Sequence, residues 1–146
     1  MGRVADLIRT KGNDVYTIES NASVYDAVES MVGHNVGSLL VVDGADVRGI
    51  ITERDYLRDI VLRGRTSRTT EVREIMTTQV VFVELSQTVE ECMAIMTERR
   101  IRHLPVLDEG RLVGLVSIGD VVKQLSKDQR AEIRYLTDYI TGRYPA

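Results

Sequence analysis

An α/β (α+β) fold of two βαββα units related by a pseudo-two-fold is what this sequence of 146 residues predicts. Three observations carry the prediction. The second half repeats the first at a constant spacing of 65: residues 80–122 align with 15–57 without a gap, with nine identities in 43 positions. Each copy alternates short β-rich runs with one segment of helical period. Each copy also ends on a phrase of one shape, Gly49-Ile-Ile-Thr-Glu-Arg-Asp55 and Gly114-Leu-Val-Ser-Ile-Gly-Asp120. A unit duplicated once buries its apolar face against its own copy, and the duplication creates paired clefts.

Residues 16–18 and 81–83 are short first strands. Ser23-Val-Tyr-Asp26 and Thr88-Val-Glu-Glu91 follow, each fitting a helix-opening box in which a hydroxyl caps the first turn and an acid three residues on caps back. The next helix places Val24, Ala27, Val28, Met31 and Val32 on one face, and its twin places Val89, Cys92, Met93 and Met96 there, as core packing. Residues 38–43 and 103–108 are near-continuous apolar strands, expected to be covered on both faces. Asp43-Gly44 and Glu109-Gly110 are the hairpin turns, and residues 47–51 and 112–116 return as third strands. Pro105 has no N–H to donate, so its strand either lies at a sheet edge or turns that nitrogen toward something other than a neighbouring strand, such as a pocket. A short amphipathic segment precedes each copy, residues 4–8 and 72–76. The polar, flexible stretch 62–70 links the copies. Outside the repeat, residues 128–140 carry Ile133, Leu136 and Ile140 at helical spacing, a candidate surface for dimer or partner contacts.

Composition narrows the function classes. A net charge of −3, with 43% hydrophobic and 28% charged residues, describes an ordinary globular chain without the basic excess that a nucleic-acid partner needs. The single cysteine, Cys92, excludes an internal disulfide and indicates a reducing, cytoplasmic setting; on an apolar helix face it reads as an inert core thiol. No apolar run of 18 residues and no leader are evident, so no membrane association is expected.

Thr52-Glu-Arg-Asp55 and Ser117-Ile-Gly-Asp120 stand between a strand and a helix. The pattern is that of a capping box closed by Asp in place of the longer Glu. It is also a nucleotide fitting: the turn exposes backbone N–H groups at the positive end of a helix, the hydroxyl adds a hydrogen bond to an anion, and a carboxylate accepts two hydroxyls of a ribose at once. Around these phrases the copies differ. Arg99-Arg-Ile-Arg102-His103 enters the second copy, whereas Gly33-His-Asn-Val-Gly-Ser38 enters the first. Arg102, His103 and Arg54 are the cations placed to meet a phosphate, a task that suits the bidentate guanidinium.

With its duplicated Gly-x-x-Thr/Ser-x-x-Asp phrase behind a Leu-Leu-Val or Leu-Pro-Val strand, the chain resembles a pair of cystathionine-β-synthase (CBS) domains, the Bateman module. It is most similar to the small stand-alone CBS-pair proteins of bacteria and plant organelles, through Ser-Leu-Leu-Val-Val-Asp, Thr-Glu-Arg-Asp-Tyr, Ile-Arg-His-Leu-Pro-Val and Val-Ser-Ile-Gly-Asp-Val-Val-Lys. The resemblance implies small mixed sheets packed on helices, with repeats at 4–63 and 72–126, a linker at 64–71 and a C-terminal helix and tail at 127–146. It implies regulatory binding of AMP, ADP, ATP, NAD or S-adenosylmethionine, no catalytic cofactor, a homodimer and a regulated partner protein. Asp55 and Asp120 would hold ribose hydroxyls, and Thr52 and Ser117 would face ribose or phosphate. Adenine would meet Lys11, Val15, Tyr16, Val36 and Ser38 at the Asp120 site, and Met76, Val80, Val81, Ile101 and Arg102 at the Asp55 site, with Arg54, Arg102, His103 and Pro105 lining the clefts. Because Gly37-Ser38 offers no counterpart to Arg102-His103, one strong and one weak site are expected. An enzyme is disfavoured, since neither His34 nor His103 belongs to a triad or ligand cluster. The other alternative is a scaffold without ligand that works through dimerisation and its C-terminal helix.

Overall fold

A computed structural model describes residues 2–12, 14–128 and 140. The chain divides into two compact units: one is Val15–Val80, and the other joins Met1–Asp14 to Val81–Ala146. Each carries one copy of the repeat and its own core.

In the first unit, β1 (Thr17–Ile18) leads to α2 (Val24–His34), then to the hairpin of β2 (Ser38–Asp43) and β3 (Asp46–Thr52). The chain continues through α3 (Glu53–Tyr56) into a π-helical turn (Leu57–Val61), and the short α4 (Val72–Ile75) closes the unit. In the second unit, α1 (Val4–Lys11) packs with β4 (Val83–Glu84), α5 (Val89–Arg99), β5 (His103–Asp108), β6 (Arg111–Ser117) and α6 (Ile118–Asp128). Each sheet is mixed and three-stranded, ordered β1-β2-β3 and β4-β5-β6, with the first pair parallel and the second antiparallel.

The leading helices dock on the copy they do not precede in sequence. Val4 N–H donates to Gln87 O and Val72 N–H to Ala22 O, both at 2.8 Å. Gln87 and Ala22 are equivalent at the 65-residue offset. Burial of Val4 and Leu7 in one core, and of Val72 and Ile75 in the other, fixes the docking. Each such side chain contributes about 1.5–3 kcal/mol.

Helix openings follow the sequence. Ser23 Oγ accepts from Asp26 N–H, and Thr88 with Glu91 closes a full capping box. Both helices end on a left-handed residue, Asn35 (φ 55°) and Arg100 (φ 56°), so that Val36 and Ile101 N–H return to Met31 and Met96 O.

Four local expectations need correction. Val32 is 76% exposed, because it lies about 80° around α2 from Val24, outside the narrow stripe of Val24, Ala27 and Met31. Of the two alternatives for Pro105 the edge falls away, since its strand is central, and a nitrogen that meets no neighbouring strand remains. At the equivalent position Leu40 N–H donates to Tyr16 O; proline cannot, and β4 begins only at Val83. The first strands are thus shorter or later than 16–18 and 81–83. The first hairpin also opens one residue later than Asp43-Gly44, since Asp43 pairs with Asp46 across Gly44-Ala45. In the second hairpin both Glu109 and Gly110 have positive φ, as its turn requires. The tail containing Ile133 and Leu136 lies outside the described residues.

Candidate functional site

The two Thr/Ser-x-x-Asp phrases fold alike. Each hydroxyl residue ends a strand and caps the helix that follows. Thr52 Oγ1 accepts from Asp55 N–H at 3.1 Å while Asp55 Oδ2 accepts from Thr52 N–H at 2.9 Å. Ser117 Oγ accepts from Asp120 N–H at 3.2 Å while Asp120 Oδ2 accepts from Ser117 N–H at 2.8 Å. Asp closes both boxes despite its shorter side chain. One carboxylate oxygen in each copy therefore serves the fold, and the chemistry left to the site depends on the other oxygen.

The copies part at that second oxygen. Asp55 Oδ1 accepts from Arg58 Nη2 at 2.9 Å and from Thr77 Oγ1 at 3.4 Å, and its side chain is 4% exposed. Arg58 stands at i+3 on the same helical segment. Thr77 arrives because α4 stops after one turn and the chain then bridges to Ile50. Asp120 receives its cation from elsewhere. The longer α1 carries Lys11 to Asp120 Oδ2 at 2.7 Å and to Leu115 O at 2.8 Å. Among the described residues nothing donates to Asp120 Oδ1, and the side chain is 21% exposed. Burial disfavours the Asp120 carboxylate, but Lys11 and the Ser117 N–H outweigh it and hold the group below the ordinary carboxylate value.

His103 pairs across the strands with Ser117. Burial and then the Lys11 ammonium push its imidazole below the ordinary histidine value, Asp120 opposing and Arg102 adding to the effect. In the first copy Ser38 takes the same place, pairing with Thr52. Ser38 is 3% exposed and its Oγ has no hydrogen-bond partner among the described residues. A buried hydroxyl without a partner costs free energy unless a ligand or water completes it. Tyr16 stacks on His34 with ring centroids 3.9 Å apart, and His34 Nδ1 is held by Ser30 O.

The Val15–Val80 unit thus holds Val15, Tyr16, Val36, Ser38, Thr52, Arg54, Asp55, Met76 and Val80. The other unit holds Lys11, Val81, Ile101, Arg102, His103, Pro105, Ser117 and Asp120. Lys11, His103, Ser117 and Asp120 form one group, and Thr52 and Asp55 another. Arg54 and Arg102 make no ion pair among the described residues. Sequence reasoning missed Arg58, Thr77 and the Tyr16–His34 stack. The i+3 spacing of Asp55 and Arg58 was a usable signal for the first; the other two are tertiary. Cys92 is buried, and burial with the nearby Glu91 pushes its thiol up to about 11, leaving a protonated core residue. Among the described residues no group of three His, Cys, Asp or Glu is placed to hold a metal ion, and no helix is long and apolar enough to cross a membrane.

Comparison with known proteins accounts for the duplication. The CBS-domain model matches twice, over residues 4–62 and 72–127. The mitochondrial CBS domain-containing protein CBSX3 of Arabidopsis thaliana is 41% identical over 97% of this chain and 73% of its own. The CBS domain-containing protein YhcV of Bacillus subtilis is 33% identical over 88% and 89%. A solved CBS-domain protein of Burkholderia ambifaria superposes with TM-score 0.84 at 53% identity, covering 87% of this chain and 96% of its own. The CBS domain pair of protein MJ0100, solved with 5′-methylthioadenosine and S-adenosyl-L-methionine, gives 0.77 at 26% over 88% and 99%. On two matches that together span most of the sequence, the chain belongs to the CBS-domain family.

Proposed function

We propose that this chain is a non-catalytic regulatory module that binds an adenosine-containing ligand, AMP, ADP, ATP or NAD, in clefts between its two repeats and signals its presence to a partner protein. The observation that carries the reading is Asp120. Its carboxylate is kept charged by Lys11 and the Ser117 N–H at the start of α6, and Oδ1 has no donor among the described residues. An ionised oxygen beside an ammonium and a helix N-terminus suits a ribose hydroxyl next to a phosphate. In the other unit, Ser38 Oγ is a buried hydroxyl without a partner among the described residues. The adenosyl ligands of the MJ0100 pair support the same class. The repeats act as residues 4–63 and 72–126, joined by 64–71. The module works as a cytoplasmic homodimer, for which the exposed Leu57, Val61 and Leu62 offer apolar surface.

Calorimetry tests the reading with AMP, ADP, ATP, NAD, S-adenosylmethionine and adenosine, on the native chain and on Asp120→Asn. At least one ligand binds, and the variant, which keeps an acceptor for the Ser117 cap, loses roughly tenfold or more, the weight of one hydrogen bond to a charged group. Equal affinity in the variant, or no binding across the panel, would overturn it.

A further inference from the structure

We propose that Arg58 is a built-in occupant of the Asp55 carboxylate, which makes the two binding sites of the module unequal and ranks the Asp120 site first. This rests on the reading of both carboxylates as ribose acceptors. Asp55 has no oxygen to spare. Oδ2 takes the Thr52 N–H and the Thr52 hydroxyl, and Oδ1 takes Arg58 Nη2 and the Thr77 hydroxyl. A ribose diol that donates both its hydroxyls to Oδ1 must displace Arg58 along with the longer Thr77 bond, since Oδ2 holds the cap. Asp120 carries its cation on the oxygen already used by the cap, so Oδ1 is ready for a hydroxyl.

Arg58 is equipped to leave. Its side chain is 55% exposed, against 4% for that of Asp55. Asp59 holds it independently, through Nε–Oδ1 at 3.2 Å and Nη2–Oδ2 at 3.0 Å. Release from Asp55 therefore exchanges one of two partners and does not strand a charge. Arg58 lies in the π-helical turn Leu57–Val61, where Leu62 N–H bonds back to Leu57 O; wider turns of this kind recur at functional positions. Among the described residues the second copy has no such occupant. Its equivalent position is Lys123, which is exposed and makes no ion pair with Asp120, whose cation comes from α1. The inequality follows from where each copy finds its cation, on the carboxylate's own helix or on a different one.

Because one partner of the ion pair is exposed, displacing Arg58 weakens the second site by no more than about fivefold. The test is a calorimetric titration of AMP, ADP, ATP and NAD into the native protein, Arg58→Gln and Arg58→Lys. The native chain shows a tighter and a weaker class of site. Arg58→Gln tightens the weaker class by roughly two- to fivefold and leaves the tighter class alone, while Arg58→Lys, which keeps the charge, returns toward the native value. Asp55→Asn weakens only the weaker class, and Asp120→Asn only the tighter one, by roughly tenfold or more, which assigns each class to its carboxylate. Two equal classes in the native protein, or a weaker class untouched by Arg58→Gln, would overturn the occupant role while leaving the nucleotide reading in place. Failure of the native protein and of Arg58→Gln alike to bind any of the four nucleotides would overturn both.

Discussion

Replacing Lys11 by Met removes the ammonium from Asp120 and keeps most of the apolar stem. Two bonds are lost, a charge-assisted one to Asp120 at 2.7 Å and one to Leu115 O at 2.8 Å. A buried hydrogen bond to a charged partner contributes 1.5–3 kcal/mol, but the Lys11 side chain is 33% exposed, so screening brings the Asp120 part to about 1 kcal/mol. The bond to Leu115 adds roughly 0.5–1 kcal/mol. Urea denaturation near neutral pH should therefore show a loss of about 1.5–2 kcal/mol. The pH dependence separates the two parts. Asp120 has a folded pKa below its unfolded value, so its contribution is fully present above the unfolded value and is lost as pH falls through the folded one. The deficit of Lys11→Met should shrink by about 1 kcal/mol across that acid window and settle at the Leu115 part. A deficit that stays constant with pH would refute the pairing, and the absence of any deficit would refute the docking of α1 through Lys11.

Gly49 and Gly114 are equivalent, but their substitutions by Ala should differ. A Cβ on Gly49 would stand 2.5 Å from the Thr77 carbonyl, a backbone atom fixed by the Ile50–Thr77 bridge, whereas on Gly114 it would meet the rotatable Ile8 Cδ1 at the same distance. Gly49→Ala should cost about 2–3 kcal/mol and Gly114→Ala about 1 kcal/mol or less by urea denaturation, and equal costs would count against the backbone contact. Arg100→Gly should stabilise by about 0.5–1 kcal/mol, because an exposed side chain is held at φ 56° where glycine sits without strain; Asn35→Gly, from a residue that tolerates this region, should gain less.

The regular elements were legible because hydrophobic period and caps act locally. Ser23 and Thr88 open their helices where the sequence places them, and the strands 38–43 and 103–108 end at the expected residues. What escaped was decided by partners remote in sequence. Val32 is as apolar as Val28, and only the packing on α2 tells which of them faces the core. Pro105 left open an edge or a nitrogen facing no neighbouring strand, and only the two-residue length of β4 decides for the second. The docking of α1 and α4 on opposite copies reverses sequence proximity, and nothing in 4–11 or 72–75 encodes it locally. At the site the phrases were plain, and the partners of their carboxylates were not. Lys11 was expected at the Asp120 site against adenine, and its bond to the carboxylate 109 residues away was not foreseen; nor was that of Thr77, 22 residues from Asp55.

The double duty of these aspartates bears on how their role can be established. Each carboxylate closes the cap of the helix it opens, so a chain that bound nothing would still have a physical reason to keep an acid at both positions. Their presence in duplicate is accordingly weak support for two ligands, and the state of the second oxygen is the stronger guide. An alanine scan would blur this, since losing a cap costs about 1 kcal/mol at either site whether or not a ligand comes. Asparagine preserves an acceptor for the capped N–H and removes the charge that a ribose and its neighbouring cation require. A difference between Asn and Ala in stability with no difference between them in ligand affinity would assign the cap to one oxygen and the binding function to the other.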